Sequence, residues 1–223
     1  MRTEQTCRVR NPALKKLLPL VALALLSACA RDGEIDQTGG IAITRTACPA
    51  VAVPAQTGDI TVFNPVSSRD ARAVDVTANI TNLRMVCGDQ GDDVVAEASF
   101  AVEARRTNTN GPRTIDLPYF STVVRGGTVV VSKRVERVTL TFADGEARAS
   151  ATAKGGAVIN RAAATLPADV RAKLTRKRRA DDADASIDPL SAPDVRAAVA
   201  RASFELLIGF QLTAEQLQYN ATR

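Results

Sequence analysis

Histidine and tryptophan are both missing from this 223-residue sequence, and tyrosine occurs only twice. Without histidine the chain cannot form a Ser-His-Asp triad, a Cys-His pair or a zinc site of the common kind. It also has no Ser-x-x-Lys motif and no glycine-rich phosphate loop after a strand. We therefore expect a protein that is not an enzyme and carries no cofactor. Paired carboxylates for glycoside hydrolysis stay open, because any two acids can meet in space.

One uncharged apolar run, Leu17–Ala28, lies near the start of the chain and directly follows a basic stretch. It is too short to span a bilayer, and its basic flank and small final residues are typical of a secretory signal peptide. A buried core helix is the alternative, but Pro19 interrupts the run. We therefore assign residues 1–28 to a signal peptide.

The end of this run carries the tetrapeptide Leu26-Ser27-Ala28-Cys29. It resembles the lipobox of bacterial lipoproteins, in which a leucine and two small residues precede an invariant cysteine. The resemblance implies that the Cys29 thiol, a strong nucleophile as its thiolate, receives a diacylglyceryl group. It also implies that the preceding peptide is removed and the new amino terminus acylated, for example with palmitate. Each buried methylene of these chains would contribute about 0.8 kcal/mol to membrane anchoring.

Ala28-Cys29-Ala30 also fits the small-x-small rule for ordinary signal cleavage, which would release a soluble periplasmic protein. In lipoproteins, an aspartate directly after the lipidated cysteine tends to retain the protein at the inner membrane. Ala30 occupies that position here. The resemblance therefore implies a protein of the cell envelope, anchored by lipid in the outer membrane and facing the periplasm.

The charge balance changes once the signal peptide is set aside. The chain has 29 Lys+Arg and 24 Asp+Glu, of which residues 1–28 hold five and one, so the remainder has 24 against 23 and a net charge of +1. The basic character belongs mostly to the signal peptide, and it gives no support for nucleic-acid binding.

Four cysteines are present, at positions 7, 29, 48 and 87. Cys7 leaves with the signal peptide and Cys29 carries lipid, so Cys48 and Cys87 remain. In an exported, oxidising setting this pair predicts one disulfide. A two-cysteine metal site is the alternative, but the sequence offers it no histidine partners.

Residues 29–40 comprise the lipidated cysteine and a polar, glycine-rich stretch that predicts a flexible tether, and residues 41–223 form a single domain. Within the domain, apolar residues alternate with polar ones. In the first such segment the phase shifts after Asn82, which predicts a bulge. The predicted inward residues are Val74, Val76, Ala78, Ile80, Leu83, Met85, Cys87, Val94, Ala96, Ala98, Phe100, Val102, Ala104, Phe204, Leu206, Ile208, Phe210 and Leu212.

Two glycine turns predict tight two-residue hairpins, one at Gly126-Gly127 and one at Asp144-Gly145. Pairing outward from the second turn sets Leu140 opposite Ala149 and Val138 opposite Ala151.

Two short helices are predicted before the last strand, beginning near Pro167 and Pro193. Thr213–Gln216, sequence TAEQ, matches a capping box and predicts one terminal helical turn. Many strands joined by tight turns, with one disulfide, favour a mainly β fold. We expect an antiparallel β-sandwich of immunoglobulin-like or fibronectin-like type, with a β-barrel as the rival.

Three surface features are candidate binding sites. Clustered acids could hold calcium, although the EF-hand spacing is absent and a solvated turn is the simpler interpretation. A basic run between the two helices could contact anionic head groups, although neighbouring acids favour a solvated loop. Tyr119-Phe120 could form a recognition patch, although a strand entering the core is favoured. The acids are Asp89, Asp92 and Asp93, and the basic residues are Arg176, Lys177, Arg178 and Arg179.

Two functions remain open from the sequence. The favoured one is a lipid-anchored envelope protein with a non-catalytic interaction or structural role, whose partners are the membrane and another envelope protein. The alternative is a lipoprotein that binds or processes a small ligand or glycan. The scarcity of aromatic rings argues against a face that stacks on sugars.

Overall fold

The computed structural model describes residues 46–176, 182–184 and 186–222. Within them lie eight strands and three α-helices, together with 3-10 turns at Ala71–Ala73 and Pro189–Ser191. The strands are β1 (Ala50–Ala52), β2 (Asp59–Phe63), β3 (Val74–Gln90), β4 (Asp93–Arg106), β5 (Arg113–Arg125), β6 (Val129–Phe142), β7 (Arg148–Asn160) and β8 (Phe204–Phe210). The helices are α1 (Ala168–Thr175), α2 (Pro193–Ala202) and α3 (Ala214–Thr222).

The strands form two four-stranded sheets that pack face to face. One has the order β1-β8-β5-β6 and the other the order β2-β3-β4-β7. Neighbouring strands are antiparallel except β1 and β8, which are parallel. The predicted antiparallel β-sandwich is confirmed, with the short helices α1 and α2 placed before the last strand.

The core lies between the sheets and is built from the alternating residues that the sequence predicted. In β4 every second residue from Val94 to Ala104 is buried, and β8 buries Phe204, Leu206, Ile208 and Phe210. The predicted bulge in β3 is confirmed, because the β3–β4 register shifts between Thr81 and Arg84 and Asn82 has a φ of 51°. The bulge restores the inward direction for the second half of this long strand.

The predicted hairpin at Asp144-Gly145 is wrong. β6 pairs with β5, so that Leu140 lies opposite Ile115, and β7 pairs with β4. The turn therefore carries the chain from one sheet to the other. Gly145 has the positive φ of 78° that the turn chemistry indicates, but a tight turn does not decide whether the strands beside it pair with each other. Leu140 and Ala149 belong instead to the single core between the sheets.

The Gly126-Gly127 turn is a hairpin, with three residues between β5 and β6 instead of the predicted two. Arg125 pairs with Val129, and a second bulge lies between Val123 and Val124. Both glycines have positive φ, 61° and 76°.

The helices occupy two separate places. α1 and α2 share a small apolar cluster centred on Val170, Val195 and Ala198. α3 packs on β2, where the rings of Phe63 and Tyr219 meet edge to face at 5.1 Å. Its capping box is confirmed at the predicted residues. The Thr213 N–H donates to Gln216 Oε1 at 2.9 Å, and the Gln216 N–H donates to Thr213 Oγ1 at 3.2 Å. The helix runs for 9 residues, longer than the single predicted turn.

Candidate interaction surface

The predicted disulfide is confirmed. Cys48 and Cys87 are bonded across a sequence separation of 39 residues. Cys48 lies just before β1 in one sheet and Cys87 lies in β3 of the other. The bond therefore ties the edge strand β1 to the opposite layer of the sandwich.

The acidic turn between β3 and β4 is held by an arginine. The Arg161 guanidinium lies 3.4 Å from an Asp89 carboxylate oxygen and donates to the Gly91 carbonyl at 2.8 Å. The Arg161 backbone N–H donates to the Asp92 carbonyl at 2.8 Å. Asp93 begins β4 and pairs in register with Gln90. Within the described ranges, no three His, Cys, Asp or Glu side chains are placed to hold a metal ion.

The predicted lipidation site and most of the basic run lie outside the described residues. This applies to Leu26–Cys29 and to Lys177, Arg178 and Arg179. Arg176 is described, and its guanidinium pairs with the carboxylate of Asp184.

Tyr119 and Phe120 lie in β5, so the prediction of a strand entering the core is confirmed. Tyr119 is buried, and its hydroxyl is 2.7 Å from Glu136 Oε2 and 2.7 Å from the Lys154 carbonyl oxygen. Burial and the hydrogen bond with Glu136 raise the pKa of Tyr119 to about 12. The hydroxyl links β5 to β6 in its own sheet and to β7 in the opposite one.

A shallow cleft of about 400 Å³ lies between β2 and the start of α3. Its charged groups already have partners within the chain. Arg69 pairs with Glu215, and its guanidinium lies 5.1 Å from the centre of the Phe63 ring. A ligand with a charged group would have to replace one of these contacts.

The largest group of exposed apolar side chains lies on β6, which is the edge strand of its sheet. Every residue from Val129 to Arg137 is exposed. Val129, Val130, Val131 and Val135 are 59%, 61%, 55% and 54% exposed, and they are four of the nine exposed large apolar side chains among the described residues. An edge strand also presents unpaired backbone N–H and C=O groups along its free side. This half of β6 therefore combines exposed valines with backbone groups able to extend the sheet. We call Val129–Arg137 the β6 edge.

The β6 edge is basic. It carries Lys133, Arg134 and Arg137 against a single acid, Glu136. The Glu136 carboxylate is engaged by the Tyr119 hydroxyl. The Lys133 ammonium lies 5.0 Å from the centre of the Phe120 ring, a cation–π contact on the outer side of the sheet. A partner strand that pairs with the β6 edge would therefore meet Lys133, Arg134 and Arg137, with the exposed Val135 among them.

Sequence reasoning missed the β6 edge because it paired β6 with β7. The signal was present in the run of three valines from Val129 to Val131, which is apolar on both faces of a strand instead of one. If β6 and β7 formed a hairpin, β7 would lie beside these valines, on the side of β6 that is free in the structure.

The comparisons with known proteins give no relative. No family model, no curated protein sequence and no solved structure matches the chain. None of the helices in the described part of the chain has the length and apolar composition needed to cross a membrane.

Proposed function

We propose that the chain is a lipid-anchored protein of the bacterial cell envelope with a non-catalytic interaction role, and that a partner protein docks on the β6 edge. The anchoring part rests on the lipobox-like tetrapeptide ending at Cys29. The interaction part rests on the exposed valines and the free backbone groups of the edge strand, since an exposed apolar sheet edge is a template for pairing with another chain.

Anchoring is tested by replacing Cys29 with serine in the full chain. We expect Cys29→Ser to abolish labelling by radioactive palmitate and to leave the precursor uncleaved by the lipoprotein peptidase. Cys7→Ser is the matched control, because Cys7 lies within the segment that would be removed, and it should be labelled like the wild type. If Cys29→Ser protein is still processed and fractionates with membranes, the anchoring proposal fails.

Docking on the β6 edge is tested by making its valines polar while keeping their β-branched shape. The triple variant Val129→Thr, Val131→Thr, Val135→Thr should lose a partner that copurifies stoichiometrically with the wild-type chain in mild detergent. The control is Val86→Thr with Val158→Thr, two valines that are 77% and 65% exposed in the other sheet. A partner retained equally by both variants would place the contact elsewhere on the molecule.

The second candidate is a lipoprotein that binds or processes a small ligand or glycan. The cleft beside α3 is the place for such a ligand, with the Phe63 ring and the Arg69 guanidinium in its lining. We rank it second because Arg69 and Glu215 are already paired with each other there, whereas the β6 edge has open backbone groups and exposed valines.

A further inference from the structure

We propose that the β6 edge accepts an extended acidic segment of a partner protein as an added β-strand. This inference rests on the proposed function and names the chemistry of the partner. Strand addition to a free sheet edge draws affinity from main-chain hydrogen bonds and specificity from the side chains that alternate along the edge.

The alternation along β6 defines what the added strand should carry. From Ser132 to Phe142 the pairing with β5 is regular, so residues two apart share a face. Lys133, Val135 and Arg137 therefore lie in one row on the outer face. A strand laid beside them would place three of its own residues, also two apart, opposite this row. The complementary order is acid, β-branched apolar residue, acid.

The inner-facing row of the edge is polar as well. By the same alternation Ser132, Arg134 and Glu136 share the face of Val138 and Leu140, which are buried. Arg134 and Glu136 carry opposite charges on this row, and both are exposed. The preference for an acidic segment therefore rests on Lys133 and Arg137 of the outer row.

The same charges give no net preference for a second copy of this chain as the occupant. In a symmetric antiparallel pair centred on Val135, the repulsive pair Lys133–Arg137 and the attractive pair Arg134–Glu136 would each occur twice, on opposite faces. Centring the pair on Lys133 or Arg134 would place identical positive charges in contact. Like charges directly opposite each other destabilise a strand pair. Basic residues on an edge are a common protection against self-association, and here they also select an acidic partner.

The inference is tested with synthetic peptides and the full-length protein in detergent. The probe is a fluorescent peptide with the core Glu-Thr-Val-Thr-Glu flanked by threonines, and the comparison peptide has lysine in place of both glutamates. Fluorescence polarisation should show the acidic peptide binding at least about tenfold more tightly at low salt. The difference should shrink as ionic strength rises, because exposed charges are screened.

A charge inversion on β6 locates the site. Lys133→Glu with Arg137→Glu should reverse the preference, so that the lysine peptide binds more tightly. The matched control is Arg105→Glu with Arg148→Glu, which makes the same charge change at neighbouring exposed positions of the other sheet. This control should keep the wild-type preference. If the two double variants behave alike, the proposal is overturned and the discrimination reflects net charge alone.

Backbone methylation separates strand addition from simple charge attraction. An added strand bonds β6 through alternate residues on one of its edges only. N-methylation of the alternate residues on that edge should abolish binding, and methylation of the other set should leave it within about twofold. Equal effects of both sets would overturn strand addition. If the valine-to-threonine variant still loses a copurified partner in that case, docking on β6 stands and only the acidic-strand inference falls.

Discussion

Replacing Arg106 should destabilise the fold more than any other single change to a charged residue that we describe. Arg106 is 1% exposed and ends β4, where all of its side-chain hydrogen bonds go to backbone carbonyls. Its Nε donates to Glu146, Nη1 to Gly111 and Nη2 to both Thr109 and Ala143, at 2.7 to 2.9 Å. These carbonyls belong to the β4–β5 and β6–β7 loops. One guanidinium therefore holds together two connections between the sheets.

The size of the effect follows from these bonds. A hydrogen bond to a charged group contributes about 1.5 to 3 kcal/mol, so four of them at the lower end give about 6 kcal/mol. Removing the guanidinium also removes the cost of burying a charge, and the loop carbonyls can be partly rehydrated. The aliphatic part of the side chain is kept in Arg106→Met. We therefore expect Arg106→Met to lower the free energy of unfolding by about 3 to 4 kcal/mol.

The measurement is urea unfolding followed by far-ultraviolet circular dichroism. Arg105→Met is the matched control, because Arg105 is the preceding residue and is exposed on the outer face. It should change the free energy of unfolding by less than about 0.5 kcal/mol. Arg106→Lys should recover only part of the loss, since an ammonium cannot reproduce the planar fork of donors. If Arg106→Met unfolds within about 1 kcal/mol of the wild type, the loop-holding role is refuted.

Three further predictions concern other contacts between the sheets. Replacing both Cys48 and Cys87 by alanine should cost about 4 kcal/mol for a loop of this length, measured by urea unfolding, and reducing agent should then have no further effect. Asp75 accepts two hydrogen bonds at 2.6 Å from Arg113, and these bonds lower the pKa of the Asp75 carboxyl below its ordinary value. The stability that the Asp75–Arg113 pair contributes should therefore be present above about pH 4 and lost as the pH falls further. Asp75→Asn should remove that acid dependence, and an unchanged acid limb would contradict the role of the pair. The pKa of Tyr119 is raised from about 10 to about 12. The free energy of unfolding should therefore fall by up to about 3 kcal/mol as the pH rises between those values. Tyr119→Phe should show a smaller fall over the same alkaline range.

Local features of the sandwich could be predicted because each has its signal within a few residues. The bulge in β3 follows from the shift in apolar phase around Asn82, and the capping box follows from the spacing of Thr213 and Gln216. The disulfide was predicted by elimination, since Cys48 and Cys87 are the cysteines left in the predicted domain. Each of these inferences could be made without knowing which strands are neighbours.

Which strands pair with each other could not be predicted from the same signals. The alternation of β6 fits β5 and β7 equally well, because both present apolar residues at every second position. The role of Arg106 was hidden for a related reason. In the sequence it stands beside Arg105 at the polar end of a strand, and only the return of two distant loops supplies the carbonyls that allow its burial.

The exposure of the β6 edge follows from how the two sheets cross. Near the Asp144 turn, β6 and β7 both contribute to the core, with Leu140 buried in it and Ala149 half-buried against it. Further along β7, a Cβ added at Gly155 would come within 2.7 Å of the Ile208 side chain and 2.9 Å of the Ser121 side chain. At Gly155, therefore, β7 has passed beneath β5 and β8. Twisted sheets that pack at an angle diverge in this way along their edges. The first half of β6 then extends past the layer below, which explains why its inner-facing row can be polar. A larger residue at Gly155 would clash with Ile208 and Ser121 unless β7 moved away from the other sheet, so this glycine lets the two sheets pack closely here.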